Sequence, residues 1–142
     1  MPTVTGVVET ALYVGDLERS GRSSKEIFGF RLLMSGDRMR AYSVADKEAL
    51  LLLKVGGPTQ SSPMHGSATP PHDGRGTRHM AFTISPDEVE TWKRQLEEKG
   101  VALESQIHCG DDTPLGDSLC FRDPDGHLTE LIMLWCWEIY QE

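Results

Sequence analysis

Several features are scarce in this chain of 142 residues, and each scarcity removes a class of protein. No apolar run nears the roughly 20 residues that a membrane-spanning helix needs. The first residues, Met1-Pro2-Thr3-Val4, show no basic stretch followed by an apolar one, so no signal peptide is expected. Cysteine is sparse and odd in number, and Cys109, Cys120 and Cys136 stand without a C-x-x-C spacing. That argues against a disulfide framework and a zinc knuckle, and a reduced, cytoplasmic protein is the simplest expectation. Positive charge is short too, with 14 Lys and Arg against 22 Asp and Glu and a net charge of −8. Neither nucleic acid nor an anionic membrane surface is expected as a partner, because both recruit basic stripes.

What is present reads as an ordinary soluble composition on a chain sized for one domain. Val7 to Val14 is β-branched and mostly apolar, as a buried strand would be. Asp16 stands where it can cap a helix reaching Phe28, and Gly29 supplies the stop. Phe30–Met34, Arg38–Val44 and Ala49–Val55 read as strands, divided by polar turns at Ser35-Gly36-Asp37 and Asp46-Lys47. Residues 56–76 then change character, with Gly56-Gly57-Pro58 and Thr69-Pro70-Pro71-His72-Asp73-Gly74 at their ends. A loop of about 20 residues inside a compact domain serves as a linker, a lid or a binding loop.

The second half repeats the order. His79–Ile84 is strand-like, and Ser85 and Pro86 open a helix through Lys99 as cap and first residue. Val89, Trp92 and Leu96 fall on one face of it, and Gly100 ends it. Val101–Ile107, Ser118–Arg122 and Leu128–Leu134 complete the strands, with Asp123-Pro124-Asp125-Gly126 as a hairpin turn. Two tandem βαβββ modules are an internal repeat, and they predict an α+β fold. Each half would curl a four-stranded mixed sheet around a cleft with its helix outside. Module 1 is expected at about 5–55, the loop at 56–76 and module 2 at about 77–137, within one domain.

Chemistry enters at matching places in the repeat. Glu9, in Val8-Glu9-Thr10-Ala11-Leu12, corresponds to His79, in Arg78-His79-Met80-Ala81-Phe82. Glu130 sits in the last strand-like run. Ionised carboxylates are rarely buried in apolar strands without a partner. Two carboxylates and an imidazole so placed suggest a divalent metal site. The competing reading is an ion pair to a buried arginine, Arg40 or Arg78.

Several further residues have two readings. His72 follows Pro70-Pro71, stiff enough to present it to a cleft as a substrate-binding residue; otherwise it and His65 are solvated loop residues. His127 is expected to be exposed in its turn, and His108 reads as loop with no acid partner. Trp135, Trp137 and Tyr140 crowd the end of the chain. They cap the core or a subunit interface, or, as for Trp135, line a substrate pocket.

These residues resemble the vicinal oxygen chelate superfamily, which includes glyoxalase I, extradiol dioxygenases, fosfomycin-modifying thiol transferases and bleomycin-sequestering proteins. The likeness spans nearly the whole chain. It rests on Leu12-Tyr13-Val14-Gly15-Asp16-Leu17-Glu18, Ile27-Phe28-Gly29-Phe30, His79-Met80-Ala81-Phe82 and, most specifically, Phe121-Arg122-Asp123-Pro124-Asp125-Gly126-His127-Leu128-Thr129-Glu130. The resemblance implies that Glu130, after the Asp-Pro-Asp-Gly turn, and His79, opening the second module, are metal ligands. Glu9 takes the first-strand place that usually holds a histidine. That substitution departs from the two-histidine, one-carboxylate set of an iron oxygenase. Leu50-Leu51-Leu52-Leu53 offers no fourth ligand of the glyoxalase I kind, and Ser23-Ser24 replaces an aromatic pair common in the first helix.

The implied function is that of a divalent-metal-dependent, glyoxalase-like enzyme with isomerase or lyase chemistry on a small oxygenated substrate. Mn, Ni, Zn or Mg suits the ligand set, with Glu9 and Glu130 as catalytic residues, Glu9 being the candidate base. A thiol such as glutathione is a candidate cosubstrate. A homodimer is expected, with Glu9 facing His79 and Glu130 of a second copy. The alternatives are a metal-free drug- or metabolite-binding protein, a thiol transferase and a dioxygenase.

Overall fold

The structure, a computed structural model, describes residues 1–57, 62–64, 67–109, 116–137 and 139. Its contacts divide the chain into two compact units, Met1–Gly76 and Thr77–Glu142.

The first unit contains β1 (Glu9–Val14), α1 (Leu17–Phe28), β2 (Arg31–Ser35), β3 (Met39–Val44) and β4 (Glu48–Lys54). The sheet order is β1-β4-β3-β2, with β1 parallel to β4 and the other pairs antiparallel. Asp16 caps α1 by accepting the Arg19 N–H at 3.0 Å, and that amide chiefly holds its carboxyl below the usual range. Gly29 stops the helix at φ 69°, where a Cβ would be strained.

Strand alternation puts Leu12, Val14, Leu50, Leu52 and Tyr42 on one face of this sheet, where all are buried. Helix α1 lies against β3 and β4, burying Leu17, Ser20, Gly21, Ser24 and Ile27. Its small residues have a steric role. A Cβ on Gly21 would stand 2.5 Å from the Tyr42 hydroxyl and 2.7 Å from Arg40 Nη1. Gly21 thus makes room for two long polar side chains of β3.

Strand β1 begins at Glu9 rather than Val7. Val7 and Val8 are exposed, and within the strand only Leu12 and Val14 are buried, because β1 is an edge with half its length outside the core. Part of the segment read as irregular loop pairs into a short hairpin, β5 (Ser62–Met64) with β6 (Ser67–Thr69). His65 lies outside the described residues.

The second unit contains β7 (His79–Thr83), α2 (Val89–Glu98), β8 (Ser105–Cys109), β9 (Gly116–Arg122) and β10 (Leu128–Ile132). Its order, β7-β10-β9-β8, repeats the first, with β7 parallel to β10. Together the two sheets give the expected glyoxalase-like α+β arrangement. Leu119, Phe121 and Leu131 are buried on one face, and Val89 and Leu96 on the helix.

Several boundaries move. Pro86–Glu88 form a single 3₁₀ turn ahead of α2, and the Ser85 side chain makes no cap bond. Strand β8 starts at Ser105, since the Val101 N–H is taken by the Leu96 carbonyl at 2.8 Å to finish the helix. After β10 the chain turns through a 3₁₀ segment, Leu134–Cys136. Trp135 and Trp137 are 45% and 63% exposed, so they do not cap this chain's core; Tyr140 lies outside the described residues. Cys120 is a buried thiol, but Cys136 is disulfide-bonded, which corrects the expectation of reduced sulfurs throughout. No described helix is long and apolar enough to cross a membrane.

Candidate metal centre

His79 and Glu130 meet on adjacent strands. In the parallel β7–β10 pairing His79 opposes Leu128 and Ala81 opposes Glu130, so both polar side chains leave the same face. His79 Nε2 is 3.3 Å from Glu130 Oε1. The other carboxylate oxygen accepts a short hydrogen bond from Ser118 Oγ, and the Cys120 thiol lies 3.9 Å from it. Ser118 and Cys120 come from β9 in antiparallel register, again on this face. The Glu130 side chain is only 13% exposed while that of His79 is 57% exposed. A carboxylate anchored from below thus holds its outer oxygen against an accessible imidazole.

Glu9 stands on the corresponding face of the first unit, with Ala11, Tyr13, Ala49 and Leu51. It is exposed and makes no hydrogen bond or ion pair among the described residues of its unit. The proposed ion pair to Arg40 does not form. Arg40 lies on the opposite, helix-bearing face beside Gly21, where its Nε is buried without a hydrogen-bond partner among the described residues. Glu130 is likewise held by His79 and Ser118 rather than by an arginine. Among the described residues no group of three His, Cys, Asp or Glu side chains stands ready to hold a metal ion.

Other histidines depart from expectation. His127 is buried, at 1% exposure, and its Nδ1 accepts the Arg78 N–H at 2.9 Å. The turn folds the ring inward to satisfy the amide just before β7. Asp123 secures that turn by accepting the amides of Asp125 (2.9 Å) and His127 (2.8 Å). Burial raises its carboxyl above the ordinary range, opposed by those same amides. His108 is not loop but lies in β8, with its Nδ1 2.5 Å from Asp117 Oδ1. Gln106 donates to the other Asp117 oxygen at 3.2 Å. His72 is exposed, yet it contacts Tyr13. Trp135 sits in the exposed 3₁₀ segment after β10.

Sequence reading missed Ser118 and Tyr13. Alternation alone would have put Ser118 on a face with Cys120, but only the β9–β10 register brings both beneath Glu130. Residues 6–131 match the model of the Glyoxalase/Bleomycin resistance protein/Dioxygenase superfamily.

The chain belongs to this superfamily.

Solved structures agree with the glyoxalase-like fold. A lactoylglutathione lyase from Agrobacterium tumefaciens is similar, with 23% identity and a TM-score of 0.81 over 96% of this chain and 99% of that one. An integron cassette protein from a sewage-outfall metagenome shares 26% identity, at a TM-score of 0.66 over 92% and 100% of the two chains. The fosfomycin resistance protein FosX from Listeria monocytogenes shares 21% identity, at a TM-score of 0.67 over 92% and 94%. FosX has also been solved with Mn(II) and sulfate bound.

Proposed function

We propose that this protein is a divalent-metal-dependent enzyme of the glyoxalase type, acting on a small oxygenated substrate by isomerase or lyase chemistry. The observation that carries the reading is the paired His79 Nε2 and Glu130 Oε1 at 3.3 Å. Two donors about 2.1 Å from one ion stand roughly 3.0–3.4 Å apart at tetrahedral or octahedral angles. One nitrogen and one carboxylate oxygen are donors that Mn, Ni, Zn and Mg accept. Ser118 fixes the Glu130 carboxylate from behind, as outer hydrogen bonds do for ligating groups.

Glu9 is the proposed third ligand and the proposed base, and a second copy of the chain supplies it in a homodimer. Its exposure on an edge strand supports both roles. An ion held by these residues would supply Lewis-acid chemistry, stabilising negative charge that develops on a substrate oxygen. His79 and Glu130 would hold it, while Glu9, swung off the ion, would accept a proton from the substrate. His72 and Trp135 are proposed substrate-binding residues. The resemblance to lactoylglutathione lyase makes a glutathione adduct the first substrate to assay, and fosfomycin the second.

The test is elemental analysis of untagged protein purified without chelator, beside Glu130→Ala and Glu130→Gln variants, with circular dichroism reporting folding. Near-stoichiometric metal lost from the folded variants is expected, with turnover of a glutathione hemithioacetal or fosfomycin in the native protein. Absence of metal after incubation with Mn, Ni, Zn and Mg would replace this reading with that of a metal-free binding protein. Mixing Glu9→Ala and His79→Ala chains probes the shared site. Restored metal binding in the mixed dimer is expected, and its failure would confine the ligands to one chain.

A further inference from the structure

His72 and Gly74 lie against Tyr13 of the first sheet. Tyr13, near the end of β1, lies on the face that carries Glu9 and Ala11. Its hydroxyl is 2.5 Å from Nδ1 of His72, and the two rings meet edge to face with centroids 5.8 Å apart. Two neighbours of His72 fix the contact. Asp73 Oδ1 accepts the backbone N–H groups of Gly56 at 3.1 Å and Gly74 at 2.9 Å, which hold its carboxyl below the usual range. A Cβ on Gly74 would stand 2.6 Å from the Tyr13 ring, so glycine is what lets the chain cross that ring so closely.

We propose that Tyr13 is a positioning residue that fixes His72 in the tautomer with Nδ1 unprotonated, making Nε2–H a donor to a distal anionic or carbonyl oxygen of the substrate. A phenol hydroxyl donates well to an imidazole nitrogen, and the neutral ring then carries its proton on the other nitrogen. Tyr13 stands four residue steps along the strand from Glu9, roughly 13 Å. The substrate class is therefore elongated. One end meets the metal-binding face, and the other carries a carboxylate, phosphonate or carbonyl that His72 receives. The substrate role rests on the enzymatic reading given above, whereas the tautomer does not.

The experiment is long-range ¹H–¹⁵N correlation spectroscopy on full-length protein with ¹⁵N-labelled histidine, at a pH above the ordinary histidine range. Native His72 is expected to show a single Nε2–H tautomer, and folded Tyr13→Phe to show the mixture of a free imidazole. Titration with glutathione and with fosfomycin supplies the second arm. One of them is expected to shift the native His72 Nε2–H signal and to bind about tenfold more weakly to Tyr13→Phe. His72→Gln, which keeps a donor near the Nε2 position, is expected to retain more of that binding than His72→Asn.

An Nδ1–H tautomer in the native protein, or a tautomer unchanged in Tyr13→Phe, overturns the positioning role. A His72 signal that neither probe moves overturns the distal subsite. Metal content measured on the same samples separates these outcomes from failure of the metal-enzyme reading, because none of the three substitutions removes a proposed ligand.

Discussion

The two units share a strand order but treat their matching polar positions differently. In the second, His79 and Glu130 are cross-strand neighbours, and Ser118 anchors the buried carboxylate oxygen. In the first, Glu9 faces Ala49 across the parallel pair and stays exposed with no described partner in its unit. Desolvating a carboxylate is unfavourable unless donors replace water, so the half-buried Glu130 comes with Ser118 and the exposed Glu9 needs nothing. The His79–Glu130 half is preorganised by its hydrogen bonds, while Glu9 is a solvated group of the other unit. The covers differ too. Helix α1 presents Gly21 to Tyr42 and Arg40 and buries Ser20 and Ser24 beside Leu17 and Ile27, whereas α2 buries only Val89 and Leu96.

This contrast can be broken at the core first. Leu119→Ala, at a side chain with no exposure, is expected to lose about 2–5 kcal/mol in urea unfolding, while Leu33→Ala on edge strand β2 loses under about 0.5 kcal/mol. A smaller loss for Leu119 would mean that the second core is loosely packed. Ser118→Ala sharpens the site comparison. It is expected to weaken Mn(II) binding about 10–100-fold by calorimetry, whereas Ser43→Ala, removing the buried serine of β3 that bonds Asp46, leaves it unchanged. Equal effects of the two serines would refute the preorganised half.

Gly21→Ala sets helix propensity against packing. Propensity alone predicts a gain of up to about 1 kcal/mol, but contact with the buried Tyr42 reverses the sign, to a net loss of about 1–2 kcal/mol in thermal unfolding. A stabilised variant would show that Tyr42 and Arg40 move aside easily. The smallest expected effect compares the helix starts. Asp16→Ala should lower the melting midpoint by a few degrees at neutral pH, and Ser85→Ala should leave it in place. Because the folded Asp16 carboxyl is depressed, its charge-dependent contribution is present above its unfolded pKa and disappears as pH falls through the lowered folded value. A midpoint difference that persists unchanged into acid would assign the cap to geometry alone.

Much of this was legible in the chain itself. Asp16 and Gly29 marked α1 to the residue, because capping is local chemistry between groups a few positions apart. The Asp123-Pro124-Asp125-Gly126 turn was equally plain. Ser85 was not, since a cap needs a backbone conformation as well as an oxygen, and a 3₁₀ turn intervened. His127 was misjudged for a related reason: a polar residue beside a turn looks solvated until a distant amide, that of Arg78, claims it. Asp117 as the partner of His108 was hidden because it lies on the neighbouring strand.

By itself the sequence determined the repeat, the order of the main elements, the caps of α1 and the placement of Glu9, His79 and Glu130 on strands. Those features depend on periodicity and on neighbours within one or two turns. Only the tertiary structure decided that His79 touches Glu130, that Ser118 holds the carboxylate from behind, and that Tyr13 receives His72 from 59 positions away. Strand register and chain return are set by packing of whole faces, and a one-residue slip would have sent His79, Glu130, Ser118 or Tyr13 to the other side of its sheet.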